Sequence, residues 1–167
     1  MKEIRLFFLW LYATLAFFFF GGMLFTIITQ YPNWISNLPY SLEATNLFYS
    51  KANPGTFFQL MGQITIPVFL VTIILVWRYR NARNLLLIHF LCYFLIGLGT
   101  FLLIYPILGE LGAKDISVRP IEEIQGYLDR FFIYDAIRAV LASVSCLFLI
   151  FGITSFLKRY YSETVLI

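Results

Sequence analysis

Asp135 and Arg138 are the residues most able to do chemistry in this chain. They stand three positions apart, just inside the last of four long apolar runs. An acid and a base at that spacing share one helical face and can bond to each other. Charge inside an apolar helix carries a desolvation cost and marks a site by default. The guanidinium suits an anionic or enolisable ligand oxygen, and the carboxylate suits orienting that group or taking its proton. Two structural alternatives stay open: an ion pair that locks the last helix against Gln63, or an arginine that snorkels towards headgroups.

Few other groups compete for the role. His89 is the one histidine of the chain and lies about one turn into the third run, with only Glu3 and Glu163 as carboxylates near its depth. It reads as a histidine bonded to a neighbouring helix. One histidine excludes a His-rich metal site or a bis-His haem within a single chain. Cys92 and Cys146 fall inside apolar runs without a CxxC or metal-ligand spacing, so they read as small packing hydrophobes. No metal or other cofactor is expected.

The elements that hold these residues are written in the composition. Of 167 residues, 60% are hydrophobic, 20% aromatic and 13% charged, and mean hydropathy is +0.82. Soluble domains carry about 25% charged residues, roughly twice as many. The formal charge of +3 includes no basic tract, which argues against a nucleic-acid partner. The apolar runs predict spans over residues 4–29, 57–77, 85–105 and 131–157, joined by outer connections 30–56 and 106–130. The whole chain, 1–167, is then one integral membrane domain. Lys2 and Arg5 precede the first run, but it is longer than a signal-peptide core and lacks an A-x-A-like site, so it reads as a retained helix.

Orientation follows from the basic residues. Lys2, Arg5, Arg78, Arg80, Arg83, Lys158 and Arg159 fall on one side, which predicts cytoplasmic termini in a bacterial inner membrane. Residues 78–84 form a basic turn that makes the second and third spans an antiparallel hairpin. Outside, Tyr40, Ala44, Leu47 and Phe48 share a face of an interfacial amphipathic helix that the Asn53-Pro54-Gly55 turn ends. Pro120 suits a first helical position, and Ile121, Ile124 and Leu128 continue at helical spacing into the fourth span. The two connections are expected to lid the bundle.

Small and polar residues mark the interior of a bundle in lipid. They predict seams of Asp135, Arg138, Ala142, Ser145, Leu149 and Gly152 on the fourth span, and Gln59, Gln63, Ile66 and Leu70 on the second. The third contributes His89, Tyr93, Gly97 and Thr100, and the first Ala13, Ala16, Gly21, Gly22 and Thr26. At about 1.5 Å per residue these seams converge on one outer-leaflet layer. The expected ligand-binding residues there are Gln59, Gln63, Tyr134, Thr100 and Tyr105, beside Asp135 and Arg138. Gln63 precedes Pro67 by one turn, which predicts a kink that frees the Gln63 carbonyl.

Two stretches carry a resemblance. They are Tyr31-Pro32-Asn33-Trp34 with Ser41-Leu42-Glu43 and Asn53-Pro54-Gly55-Thr56-Phe57-Phe58, and Leu128-Asp129-Arg130-Phe131 through Tyr134 to Arg138. Together they resemble the anthrone-oxygenase-like family of small four-span membrane proteins, in which an aromatic residue, three spacers and an arginine often open the last span. Tyr134 and Arg138 occupy that pattern, with tyrosine in place of the more usual tryptophan. The resemblance implies a four-helix bundle and oxidation of a phenolic polycyclic substrate without metal or flavin.

The fold expected is therefore all-α, a four-helix transmembrane bundle with short interfacial amphipathic helices on the extracytoplasmic side. The function expected is binding of a small lipophilic or phenolic molecule in the outer polar layer. A cofactor-independent oxygenase, with Arg138 and Asp135 catalytic, and a structural subunit of a membrane complex are the alternatives. The partners expected are membrane lipids, a lipophilic ligand and a second copy of the chain. A transporter of four spans without a repeat would need such an oligomer.

Overall fold

The computed structural model describes residues 2–165; the side chains of Lys2, Glu163, Thr164 and Val165 lie outside what it describes. Helix follows wherever the apolar runs lie, and no strand occurs among the described residues. Helix α1 (Lys2–Phe25) passes through a π-helical turn (Thr26–Gln30) into the short α2 (Tyr31–Trp34). Helix α3 (Tyr40–Phe48) follows, then α4 (Pro54–Leu75) and α5 (Arg80–Gly99). A second π-helical turn (Thr100–Ile104) leads into α6 (Tyr105–Leu111), a 3₁₀ turn (Ile116–Val118) and α7 (Ile121–Val165). Four of the resulting helical segments, Glu3–Trp34, Pro54–Leu75, Arg80–Leu111 and Ile121–Ser162, are long and apolar enough to cross a membrane.

Local chemistry sets the boundaries. The Asn53 side chain accepts from the Thr56 N–H at 3.2 Å, and the Thr56 hydroxyl accepts from the Asn53 N–H at 3.3 Å. This reciprocal cap, with Pro54 following, starts α4. Asn53-Pro54-Gly55 is thus the beginning of the second span rather than a free-standing turn. Arg80 to Asn84 are helical, so the tight connection is Val76–Tyr79 and not the whole basic segment. Pro120 offers its carbonyl to the N–H groups of Glu123 and Ile124, and α7 begins one residue after it.

The closest packing pairs α1 with α4 and α5 with α7, while the sequential neighbours α4 and α5 make few contacts with each other. Their expected hairpin is a connection more than a packing unit, with the Phe69 and Phe90 rings stacked at 4.0 Å across it. One core, with Leu9, Tyr12, Phe69, Leu86, Leu149 and Phe156, lies towards the Val76–Tyr79 end. A second, with Tyr31, Leu42, Ile104, Ile116, Leu128 and Phe131, lies at the opposite, distal end. Helix α7 has 45 residues. At 1.5 Å per residue that is about 67 Å, about twice an apolar bilayer core. Its first turns therefore belong to the distal core, where Ile124 and Leu128 are fully buried.

Burial follows the expected seam on α7, where Asp135, Ala142, Ser145, Leu149 and Gly152 all face inward. Ala13, Ala16 and Thr26 do so on the first span, while Gly21 is exposed. The expected face of α4 is wrong. Gln63, Ile66 and Leu70 are exposed, as is Pro67, and Met61, Thr65, Phe69, Thr72 and Ile73 are buried instead. The threonines decide this. The Thr72 hydroxyl lies 3.1 Å from the Phe8 carbonyl of α1 and 2.7 Å from the Val68 carbonyl, so it brings α4 against α1. On α5, Gly97 is exposed and Ile96 takes the inward position.

Candidate functional site

Two copies of one local pattern shape the distal end. Thr26 and Tyr31-Pro32 have the spacing of Thr100 and Tyr105-Pro106. A proline in a helix loses a hydrogen bond and its ring strikes the carbonyl four residues back. Here the chain absorbs each proline by widening the preceding turn. The Tyr31 N–H bonds the Thr26 carbonyl, and the Tyr105 N–H bonds the Thr100 carbonyl, each five residues back. In both copies the threonine hydroxyl donates to a carbonyl four residues back, Gly22 at 2.9 Å and Ile96 at 2.7 Å.

The widened turns project the two tyrosines differently. Tyr31 is 8% exposed and its hydroxyl donates to Asp135 Oδ2 at 2.7 Å. Its ring is fixed by Trp34 and Phe131, with centroids at 5.0 and 5.1 Å. Asp135, 1% exposed, forms an ion pair with Arg138 through its other oxygen. Arg138 Nη1 then donates to the Thr100 hydroxyl at 3.0 Å, and the guanidinium carbon sits 6.0 Å from the Phe58 ring. Thr100 can accept because its own proton goes to Ile96. The chain Tyr31–Asp135–Arg138–Thr100 thus ties α2, α7 and the second π turn together.

Beside this chain is a cavity of about 510 Å³. Thr26, Tyr31 and Trp34 form one wall, Phe58 and Gln59 another, and Thr100, Tyr105, Phe131 and Arg138 the facing side. Tyr49 and Asn46 come from the connection above, and the Asn46 amide donates to the Leu111 carbonyl at 2.9 Å. That bond ties α3 to α6. Across the cavity the Gln59 amide donates to the Tyr105 hydroxyl at 3.3 Å. Arg138 is the one charged residue on this wall, and Asp135 behind it matches its charge. Arg138 Nε and Trp34 Nε1 are buried donors without an acceptor among the described residues. The cavity is electrically balanced, aromatic and rich in donors.

The residues expected at the site divide accordingly. Arg138, Gln59, Thr100 and Tyr105 line the cavity. Asp135 is sealed behind Arg138, positioned to orient the guanidinium rather than to meet a ligand. Gln63 is exposed on the outside of α4, so it neither locks the pair nor faces the cavity. Tyr134 does not line the cavity; with Arg138, Ile137 and Leu141 it borders a shallow groove against α5. Tyr134 and Arg138, four residues apart, lie about 40° apart around α7, and of the two only Arg138 also lines the cavity. Tyr31 and Trp34 line the cavity too, and the expected set of site residues leaves them out. The repeated Thr-x₄-Tyr-Pro spacing is the signal in the sequence that marks them.

His89 is a structural histidine of a different layer. Its Nδ1 lies 2.9 Å from the Ser145 carbonyl, which can only accept, so Nδ1 carries the proton. The Ser145 hydroxyl is within 2.7 Å of the same nitrogen and 3.1 Å of the His89 carbonyl. The Tyr12 ring packs edge-on at 5.5 Å. Among the described residues no group of three or more His, Cys, Asp or Glu side chains could hold a metal ion, and both cysteines are free.

An all-helical chain with four membrane-length apolar helices is compatible with a polytopic membrane protein, and that is the class the fold defines. No protein family, curated protein or solved structure matches the chain.

Proposed function

We propose that this protein is an integral membrane protein that binds a small lipophilic molecule in the distal cavity, and that the molecule is neutral and carries a hydrogen-bond-accepting oxygen. One observation carries this assignment: Arg138 presents a guanidinium on an aromatic wall while its charge is matched by Asp135. A balanced pair offers little net attraction to an anion, yet the guanidinium keeps unused N–H donors. A phenol, quinone or ketone oxygen suits such donors, and the flat aromatic walls suit a ring. The volume falls within the range of about 300–1,000 Å³ common for small-molecule sites.

The basic residues at the Val76–Tyr79 end support placing that end in the cytoplasm and the cavity towards the outer leaflet of a bacterial inner membrane. Tyr40, Leu47 and Phe48 are exposed on α3, which supports an interfacial position for that helix. The anthrone-oxygenase-like reading remains an alternative. The seclusion of Asp135 favours binding over proton abstraction, and Tyr134 does not line the cavity that Arg138 lines.

The test is extraction of the purified protein and mass spectrometry of co-purified lipophiles. A discrete neutral species should be enriched over bulk lipid in the wild type and in Gln63→Ala, and lost in Arg138→Ala. Equal profiles in all three proteins would remove the cavity as a binding site. In that event, failure of Asp135→Asn with Arg138→Gln to accumulate would favour a structural subunit.

A further inference from the structure

A second hollow of about 600 Å³ adjoins the cavity on the flank between α1 and α4. The two share Thr26, Tyr49, Pro54 and Phe58, so they abut along a common border between Arg138 and the side of the bundle. The walls of the second hollow are almost wholly apolar. Phe17, Phe18, Phe25 and Phe57 line it, at 39%, 61%, 59% and 40% exposure. These residues sit within membrane-length helices, where an exposed face meets acyl chains.

Two consecutive glycines make the groove. A Cβ at Gly22 would lie 2.5 Å from Phe57 Cε1, so the missing side chain lets that ring lie on the α1 backbone. A Cβ at Gly21 would meet nothing within 4 Å, so there the missing side chain leaves open depth. Gln30 also lines the groove. Its buried Oε1 has no donor among the described residues.

From this adjacency, and resting on the binding assignment above, we infer that the two hollows open into each other and that the ligand is a single-tailed neutral amphiphile. Its acceptor-bearing head lies in the cavity at Arg138, Trp34 and Gln59, and its linear apolar tail leaves through the groove at Gly21. A compact molecule arriving from water would need no opening on the lipid side. An amphiphile dissolved in the bilayer needs one, and enters laterally between α1 and α4. A tail gains little by moving from lipid into an apolar groove, because lipid is already apolar. The groove therefore sets the direction of the tail more than the affinity, and a test must read position.

The probe is a benzoquinone with a decyl tail ending in a diazirine, photolysed with the protein in phosphatidylcholine nanodiscs. Adducts should map to Phe17, Phe18, Phe25 and Phe57 and be competed by unlabelled decyl-benzoquinone. Gly21→Leu puts a side chain into the groove at a position where its Cβ meets nothing within 4 Å, and Phe18→Trp is an independent plug. Each should lose the groove adducts, while the tail-less benzoquinone still binds as seen by native mass spectrometry. Unchanged adducts in both variants, or adducts spread over all lipid-facing helices, would overturn the inference and leave the cavity assignment standing. Absence of tail-less binding, with Arg138→Ala no different from wild type, would overturn both.

Discussion

The two Thr-x₄-Tyr-Pro segments share a sequence device and a backbone outcome, yet they do different work. Each widens its helix by one residue and each turns a tyrosine towards the middle of the distal end. Tyr31 finds Asp135 and becomes buried structure. Tyr105 finds the Gln59 amide and stays on the cavity wall. The difference lies in the partner opposite. Helix α7 places a carboxylate in reach of the first tyrosine, while the threonine of the second copy takes the arginine. A repeated local motif fixes where a side chain starts, and a neighbouring helix decides what it is for. The connections that follow also differ: the first is held by Asn46 to Leu111, the second by charge around Arg119.

The largest expected effect comes from removing the centre of the first arrangement. Asp135→Ala strands both Arg138 and the Tyr31 hydroxyl, and removing one partner of a buried pair costs about 3–5 kcal/mol. Unfolding in detergent should show that loss. The double variant Asp135→Asn with Arg138→Gln should lose less than the sum of its single variants, and strict additivity would show that the two do not act as a pair.

The tyrosines themselves give the sharpest contrast. Tyr31→Phe leaves Asp135 Oδ2 without its donor and should cost about 1–3 kcal/mol. Tyr105→Phe should stay within about 0.5 kcal/mol, as expected of a partly exposed group. Retention of the co-purified lipophile should instead respond to Tyr105→Phe. Equal destabilisation by the two substitutions would break the distinction between a buried strut and a cavity wall.

Thr100→Val and Thr26→Val compare the two threonines. Only Thr100 accepts from Arg138, so only its loss should cost the roughly 1 kcal/mol of such a bond beyond the shared local one. Thermal unfolding of the two variants side by side measures the difference.

The smallest effect concerns the second connection. Arg119 lies 2.9 Å from Glu110, 3.1 Å from Asp115 and 3.4 Å from Glu123. Its hydrogen bond holds the Asp115 carboxyl below the ordinary value of 3.8, and the same contacts raise the Arg119 guanidinium. A depressed carboxyl stabilises the fold above its ordinary pKa, and that contribution disappears as pH falls through the lowered value. Amides of residues 113–119 should therefore lose protection from hydrogen exchange, after correction for the intrinsic rate, only below about pH 3.8. The α3 connection should show no matching step.

The sequence by itself determined what depends on neighbours along the chain. Apolar run length and charge placement set four helices, since a helix satisfies its own backbone in lipid. Spacing on α7 set its inward seam, because Asp135, Arg138, Ala142, Ser145 and Leu149 recur at three and four residues and share one face. The proline positions set the two widened turns. Only the tertiary structure decided the rotation of α4. Apolar and polar residues occur all round that helix, lipid is as apolar as the core, and hydropathy therefore cannot choose a face. Thr72 against Phe8 chose it, and this sent Gln63 outward. Packing likewise assigned Asp135 to Tyr31, kept Tyr134 off the cavity wall, and left an open groove beside Gly21. Those outcomes depend on which surfaces meet, and residues 104 positions apart carry no local signal of meeting.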